Sequence, residues 1–342
     1  MITQRPVVFS LAAFLLAAPI GLAQDAGSLP VMPGPRAPEP AAWPSVTGPS
    51  LRVAVSVPPL KGLIEPLLPA GSTVTMLIAP GRSEHGYEFT PAELASLAQA
   101  DLVIYVGLNL EPKIERIVTR HASPQQRVVC FAQAVGLSLP ADVAQPDNHD
   151  HHDHADHDHD HDHADHDHDH DHDHRIDPHL WLDPVLCQKL VPALATEVKA
   201  ILAAKGGTPE SVDPAAAALD ARVQLVDQSW VAGLAPFKDG AIVTHHDAFS
   251  RPASRYGLRI ASVVRSLETA DPTPAQLAGV VEAIRSQHVK TLFVEPQFDP
   301  KAAQRIAKAA NVNLARLDPL GDGDWFKLMH ANLEALTQGL AK

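Results

Sequence analysis

Histidine is the residue type whose number and placement point most directly to chemistry. The chain contains 20 histidines, and thirteen of them alternate with eleven aspartates between residues 149 and 174. This composition cannot build a hydrophobic core, so we expect a solvated loop. Imidazole binds Zn, Cu and Ni, and the aspartates add charge attraction. The segment therefore predicts a collector of metal ions with many weak sites, the alternative being an inert insert.

Three of the other seven histidines stand where strands end or helices begin. His85 follows an apolar run that ends at Ile78, His179 precedes a helical pattern, and His246 follows the strand candidate 241–245. Ligands of open α/β sheets bind beyond the carboxyl ends of the strands and often between domains. We therefore predict that these three histidines hold a metal ion.

The remaining four histidines fit this site less well. Successive side chains of a strand point to opposite faces, so only one of the neighbours His245 and His246 should reach the site. His246 is chosen because it begins the loop. His121, His288 and His330 lie in helical contexts, and we interpret them as ordinary surface or hydrogen-bonded histidines.

The elements that must position these residues alternate between strand and helix in two series. The apolar strand candidates suit sheets that helices cover on both faces. They are residues 51–57, 73–78, 101–107, 127–131, 241–245, 258–264, 291–295 and 313–317. The pattern predicts an α/β fold with two lobes, each built on a mainly parallel sheet. The N-lobe would span 51–212 and the C-lobe 236–342.

Helix signals divide the chain in the same way. Thr90, Pro91 and Glu93 form a capping box with a proline start, and a further helix is predicted over 184–204. Residues 213–235 carry apolar side chains every three or four positions, so they predict one long helix of about 30 Å that joins the lobes rigidly.

The amino-terminal residues have the pattern of an export signal. Residues 1–23 combine Arg5, a short apolar run and small residues before a cut after Ala23. The run is too short to span a bilayer, so we expect a periplasmic protein. Residues 24–50 are rich in proline and predict an extended tether. Two cysteines, Cys130 and Cys187, could form one disulfide or stay reduced.

The net charge of −13 is concentrated in one place, because residues 149–174 carry −11 and the rest of the chain only −2. No basic patch indicates nucleic-acid binding. The chain also lacks the His-Glu-x-x-His and Gly-x-Ser-x-Gly motifs, which disfavours a zinc hydrolase and predicts that the protein is not an enzyme.

Five motifs in order carry a family resemblance. They are Ser83-Glu-His-Gly-Tyr87, Asp177-Pro-His-Leu-Trp-Leu-Asp-Pro184, His246-Asp-Ala-Phe249, Phe293-Val-Glu-Pro-Gln-Phe298 and Leu317-Asp-Pro-Leu-Gly321. Together they resemble the ZnuA-like zinc solute-binding proteins of ABC importers, over about residues 51–342. The resemblance implies two four-stranded lobes bridged by a rigid helix, and zinc held in the cleft by His85, His179 and His246, with Glu84 as an additional ligand. Gly86 and Phe249 depart from residues common in the family, aspartate and tyrosine, and neither change removes a ligand.

The resemblance also implies partners and leaves alternatives open. The partners would be Zn²⁺ and a membrane permease with its cytoplasmic ATPase, and the protein would act as a monomer. Three imidazoles favour Zn²⁺ over Mn²⁺. The fourth ligand could be Glu84, Asp318 or water, and Glu84 is preferred because it adjoins His85. A zinc buffer or metallochaperone without a transporter would use the same residues.

Overall fold

The computed structural model describes residues 42–121, 123–137, 176–265 and 272–341. Within them, the strands are β1 Arg52–Val55, β2 Thr73–Met76, β3 Leu102–Tyr105, β4 Arg127–Cys130, β5 Ala241–Thr244, β6 Arg259–Val263, β7 Thr291–Val294 and β8 Asn313–Arg316. They form two sheets of four strands, ordered β2-β1-β3-β4 and β6-β5-β7-β8, and all pairings are parallel. The predicted two-lobed α/β fold is confirmed.

Helices alternate with these strands and cover both sheets. Their bounds are α1 Pro58–Ile64, α2 Pro91–Gln99, α3 Pro112–His121, α4 Phe131–Ala134, α5 Pro184–Ala204, α6 Val212–Leu234, α7 Ser250–Arg255, α8 Pro274–Ser286, α9 Lys301–Ala310 and α10 Trp325–Ala341. The predicted capping box starts α2: the Glu93 amide donates to Thr90 Oγ1 at 3.3 Å, and the Thr90 amide donates to Glu93 Oε2 at 2.7 Å.

In the described part of the chain, two helices link the lobes. The predicted linking helix is α6, which buries Leu219, Val223, Trp230 and Leu234 on the expected face. The second helix is α10, which follows the last strand of the C-lobe and packs against α6 and against α1 of the N-lobe. One continuous core therefore runs from the N-lobe through α5 and α6 to α10, and a smaller core lies beneath β5 and β7.

Part of the predicted tether belongs to the fold. Residues 42–50 are described, and in them Val46 is buried and Trp43 half-buried against the core. The expectation of a segment without packing does not hold for these residues, because Trp43 contacts Arg222 of α6 and Phe326 of α10. The predicted signal at 1–23, the tether up to residue 41 and the His/Asp-rich segment at 149–174 lie outside the described residues.

The described residues also bear on two smaller questions. No described helix combines the length and the apolar character needed to cross a membrane.

Cys130 and Cys187 are separate, buried free thiols. The Cys187 thiol donates to the carbonyl of Trp181 at 3.3 Å, and the Cys130 thiol donates to the carbonyl of Val106 at 3.6 Å. The structure therefore favours the reduced alternative for both.

Candidate metal centre

The cleft between the lobes brings together four side chains predicted from the sequence. Glu84 and His85 come from the loop after β2, His179 immediately precedes a 3₁₀ turn and α5, and His246 follows β5. One donor atom from each lies within 4.8 Å of the other three. The N-lobe thus supplies Glu84, His85 and His179, and the C-lobe supplies His246.

The spacing of the donor atoms suits a small tetrahedral cation. His179 Nε2 is 3.1 Å from Glu84 Oε1 and 3.2 Å from His246 Nε2. Glu84 Oε1 lies 3.7 Å from His246 Nε2 and 3.8 Å from His85 Nε2. Ligands about 2.0–2.2 Å from a tetrahedral zinc ion are roughly 3.3–3.6 Å apart. The four side chains can therefore enclose such an ion with only small movements.

Two further carboxylates hold the inner histidines by their other ring nitrogen. Asp177 Oδ1 lies 2.8 Å from His179 Nδ1 and accepts the His179 amide at 2.9 Å. Glu295 Oε2 lies 2.5 Å from His246 Nδ1, and Glu295 Oε1 accepts the His246 amide at 3.0 Å. A proton held at Nδ1 leaves the lone pair on Nε2, which faces the other donors.

The side chains of the cluster shift one another's pKa values. Burial lowers the pKa of His179, but its hydrogen bonds to Asp177 and Glu84 outweigh burial and raise the pKa to about 8. Burial is outweighed in the same way at His246, where Glu295 and Glu84 raise the pKa to about 10. Although burial alone would raise the pKa of Glu84, hydrogen bonds from the two histidines hold it well below its usual range. A cation can replace the protons that these histidines bind.

His85 differs from the two inner histidines. Burial lowers its pKa to about 4, so its ring is neutral at physiological pH. Its Nε2 is buried and has no hydrogen-bond partner among the described residues. A buried, unpaired nitrogen beside Glu84 is a position that a bound cation would satisfy. The side chain is 21% exposed, against 0% for His179 and 2% for His246.

The other sequence candidates lie elsewhere. Asp318, the alternative fourth ligand, accepts hydrogen bonds from the amides of Leu320 and Gly321 at 3.1 and 3.0 Å and caps a turn. His245 is buried outside the cluster, where its ring centroid lies 4.9 Å from that of Phe298.

Two further histidines with described side chains are also outside the cluster. His288 and His330 are exposed, as expected. The side chain of His121 is not among the described ones.

The segment that carries His179 is fixed to the C-lobe. Trp181 Nε1 donates to the carbonyl of Pro319 at 2.6 Å. From α7, Arg255 Nη2 donates to Asp183 Oδ2 at 2.6 Å, and Arg251 Nη2 donates to the carbonyl of Asp177 at 2.8 Å. His179 therefore belongs to a seam between the lobes, whereas the loop of His85 is largely exposed.

Sequence reasoning missed Asp177 and Glu295. A signal existed for both, because Asp177 lies two residues before His179 and Glu295 directly follows the strand β7 in one of the five motifs. Carboxylates at such positions are frequent partners of metal-binding histidines.

Comparisons with known proteins agree with the fold and with the resemblance. A family profile described as "Zinc-uptake complex component A periplasmic" matches residues 53–339. The high-affinity zinc uptake system protein ZnuA of Haemophilus ducreyi is 35% identical over 273 residues, which cover 79% of this chain and 84% of that protein. A crystal structure of ZnuA aligns with a TM-score of 0.67 at 21% identity, and the alignment covers 85% of this chain and 100% of that one.

Some relatives are longer than the region they share with this chain. The zinc-binding lipoprotein AdcA of Streptococcus pneumoniae is 27% identical over 282 residues, which make up 79% of this chain and 52% of that protein. The chain thus spans about half of AdcA. The family profile covers most of the chain, and the ZnuA relative matches over most of both lengths. The chain therefore belongs to the family of the periplasmic component A of zinc-uptake complexes, and the members of this family are solute-binding transport proteins and not enzymes.

Proposed function

We propose that this protein captures Zn²⁺ in the interlobe cleft, with Glu84, His85, His179 and His246 as ligands, and delivers it to the permease of an ABC importer. The observation that carries the proposal is the convergence of three imidazoles and one carboxylate from both lobes within 4.8 Å. Three nitrogens and one oxygen form a donor set that suits tetrahedral Zn²⁺. The names of the matched relatives support zinc as the cargo.

The setting of this function is part of the proposal. Residues 1–23 direct export and are removed, and the mature protein works in the periplasm as a monomer. Residues 51–212, 213–235 and 236–342 serve as N-lobe, linking helix and C-lobe. The segment 149–174 collects Zn²⁺ weakly beside the tight site, since it enters the fold just before His179.

Release depends on which ligand can leave the ion. His179 and His246 are braced by carboxylates and lie at the seam between lobes, whereas His85 sits in an exposed loop and its ring nitrogen Nε2 is unpaired among the described residues. We expect the permease to draw His85 away and leave the lobes in place. Hydrogen exchange in residues 80–88 should therefore slow on zinc binding, and an unchanged rate there would contradict this route.

A competitive zinc titration of the mature protein tests the site. The wild type should show one tight site and several weak ones, and the triple variant His85→Ala, His179→Ala, His246→Ala should keep only the weak ones. The matched control is His330→Ala, which removes an exposed histidine on α10 and should keep the tight site. A tight site that survives in the triple variant would place the affinity in the His/Asp-rich segment, as in a zinc buffer.

A deletion tests the division of labour between the two kinds of site. A chain without residues 149–174 should keep the tight site and bind fewer zinc ions per chain. Loss of tight binding in this deletion would contradict an auxiliary role for the segment. Zinc transfer from the loaded protein to the membrane-embedded permease, faster than spontaneous dissociation, would distinguish an importer component from a free-standing buffer.

A further inference from the structure

Residues 43–48 form a strap across the helices that connect the two lobes, which we call the Trp43 strap. Its first side chain, Trp43, lies between α6 and α10: the guanidinium of Arg222 stands 3.6 Å above its ring centroid, and the ring of Phe326 is 5.9 Å away. The strap begins ten residues before the region that the family profile matches. It therefore lies outside the matched region.

The other end of the strap is fixed to the turn between α5 and α6. The Thr47 amide donates to Ser211 Oγ at 2.9 Å, and the Thr208 amide donates to the carbonyl of Thr47 at 3.2 Å. Val46 is buried. At Gly48 a Cβ atom would lie only 2.8 Å from Leu202 Cδ2, so the backbone approaches the end of α5 closely. The strap is thus held at both ends, by Arg222 of α6 and by Ser211 just before α6.

A row of aromatic side chains leads from the strap to the metal centre. The ring of Phe326 lies 5.1 Å from that of Trp325, and Trp325 Nε1 donates to the carbonyl of Trp181 at 2.7 Å. The ring of Trp181 lies 5.4 Å from that of His179. Both tryptophans are fully buried, so neither side chain can shift without moving its neighbours.

We infer that Trp43 is a positioning residue for the metal centre: by clamping α10 against α6 it holds Trp325 and Trp181 in place and slows the dissociation of zinc from His179. This inference rests on the proposed function, because it takes the four-residue cluster as the zinc site. Trp43 is attached to α6 by its cation–π contact with Arg222 and to α10 by its aromatic contact with Phe326. The Trp325 hydrogen bond to the peptide of Trp181 passes the constraint across the seam between the lobes.

Coupling of this kind must act in both directions. If a closed strap strengthens zinc binding, bound zinc must strengthen strap closure by the same factor. Zinc should therefore slow hydrogen exchange at the Thr47 amide, which belongs to the strap and lies outside the cleft. Because zinc also stabilises the folded state as a whole, the slowing at Thr47 must exceed that of amides in the smaller core of the C-lobe.

The dissociation rate of zinc from the full mature chain is the primary measurement. The protein is loaded with less than one equivalent of zinc and mixed with excess metallochromic chelator, so that the slow phase reports the tight site. Trp43→Ala should speed this phase by about fivefold, the low end of ordinary coupling between sites. Trp43→Phe keeps an aromatic ring and should restore most of the wild-type rate.

Two further variants separate positioning from stability and from the site itself. Ile306→Val, in the smaller core of the C-lobe, should lower the unfolding temperature and leave the slow phase unchanged. His179→Ala should abolish the slow phase; if the slow phase persists there, the proposed zinc site is wrong. If the slow phase requires His179 but is unaffected by Trp43→Ala, or is equally affected by Ile306→Val, the zinc site stands and the strap inference is overturned.

Discussion

Replacing Glu295 with glutamine should weaken zinc binding without changing the size of the side chain. The carboxylate holds His246 twice, at the backbone amide through Oε1 and at Nδ1 through Oε2. In glutamine the oxygen must stay on the backbone N–H, so the new NH₂ group faces Nδ1 and requires a lone pair there. The ring proton then moves to Nε2, the nitrogen that faces the metal centre.

The magnitude follows from the role of such partners. Loss of a carboxylate behind a metal-binding histidine costs about 10-fold to 100-fold in affinity, which is about 1.4–2.8 kcal/mol of binding free energy. The assay is competitive titration of the tight site against a chelator of known affinity at constant pH. Glu282→Gln removes the same charge from an exposed position on α8 and should bind like the wild type. Unchanged affinity in Glu295→Gln, or an equal loss in Glu282→Gln, would refute the reasoning.

Three other outcomes are expected. Zinc affinity should fall as the pH drops from 9 to 6, because protons compete with the metal for His179 and His246, whose pKa values are raised to about 8 and about 10. Calorimetry in buffers of different ionisation enthalpy should detect the protons released on zinc binding. A zinc affinity that does not change with pH would contradict this. Chemical denaturation of the metal-free protein should show His179→Ala less stable by about 3 kcal/mol, because buried Glu84 loses its nearest partner. His85→Ala should cost clearly less, because the His85 ring is neutral at physiological pH and its Nε2 has no hydrogen-bond partner among the described residues; equal losses in both would count against the different roles given to these histidines. A thiol reagent should find no reactive cysteine in the native protein and two after denaturation without reductant, since both thiols are buried and free; no thiol after denaturation would mean a disulfide.

Local patterns were sufficient to predict most of the fold. The bounds of the predicted strands agree with the observed ones to within two residues at each end, and the helix predicted over 184–204 is α5. In the structure Asp183 caps this helix and Pro184 is its first residue, and both are local signals. The position of α10 could not be predicted in this way. Its packing on α1 depends on the fit between Gly62 and Trp325, where a Cβ on the glycine would lie 2.5 Å from the Trp325 amide nitrogen.

The residues of the candidate site could also be predicted largely from local patterns. Histidines at strand ends identified the residues that the structure brings together, and their role as ligands stays a prediction. Asp318 was kept as a possible ligand although Asp-Pro-Leu-Gly is a turn sequence, and that local pattern favours the capping role that the structure shows. The pairing of Glu295 with His246 joins residues 49 positions apart, which spacing alone does not indicate.

The return of α10 to α1 has a consequence for how the chain acquires its structure. A helix from the carboxyl end covers Gly62 near the amino end, so the N-lobe cannot complete its core until almost the whole chain is present. Contacts between such distant parts of a sequence slow folding, because a long loop must close before they form. Until then the apolar face of α1 stays open to aggregation and to chaperones. Chains that end before Trp325 should accordingly be cleared by proteases, even though every proposed zinc ligand has already been synthesised.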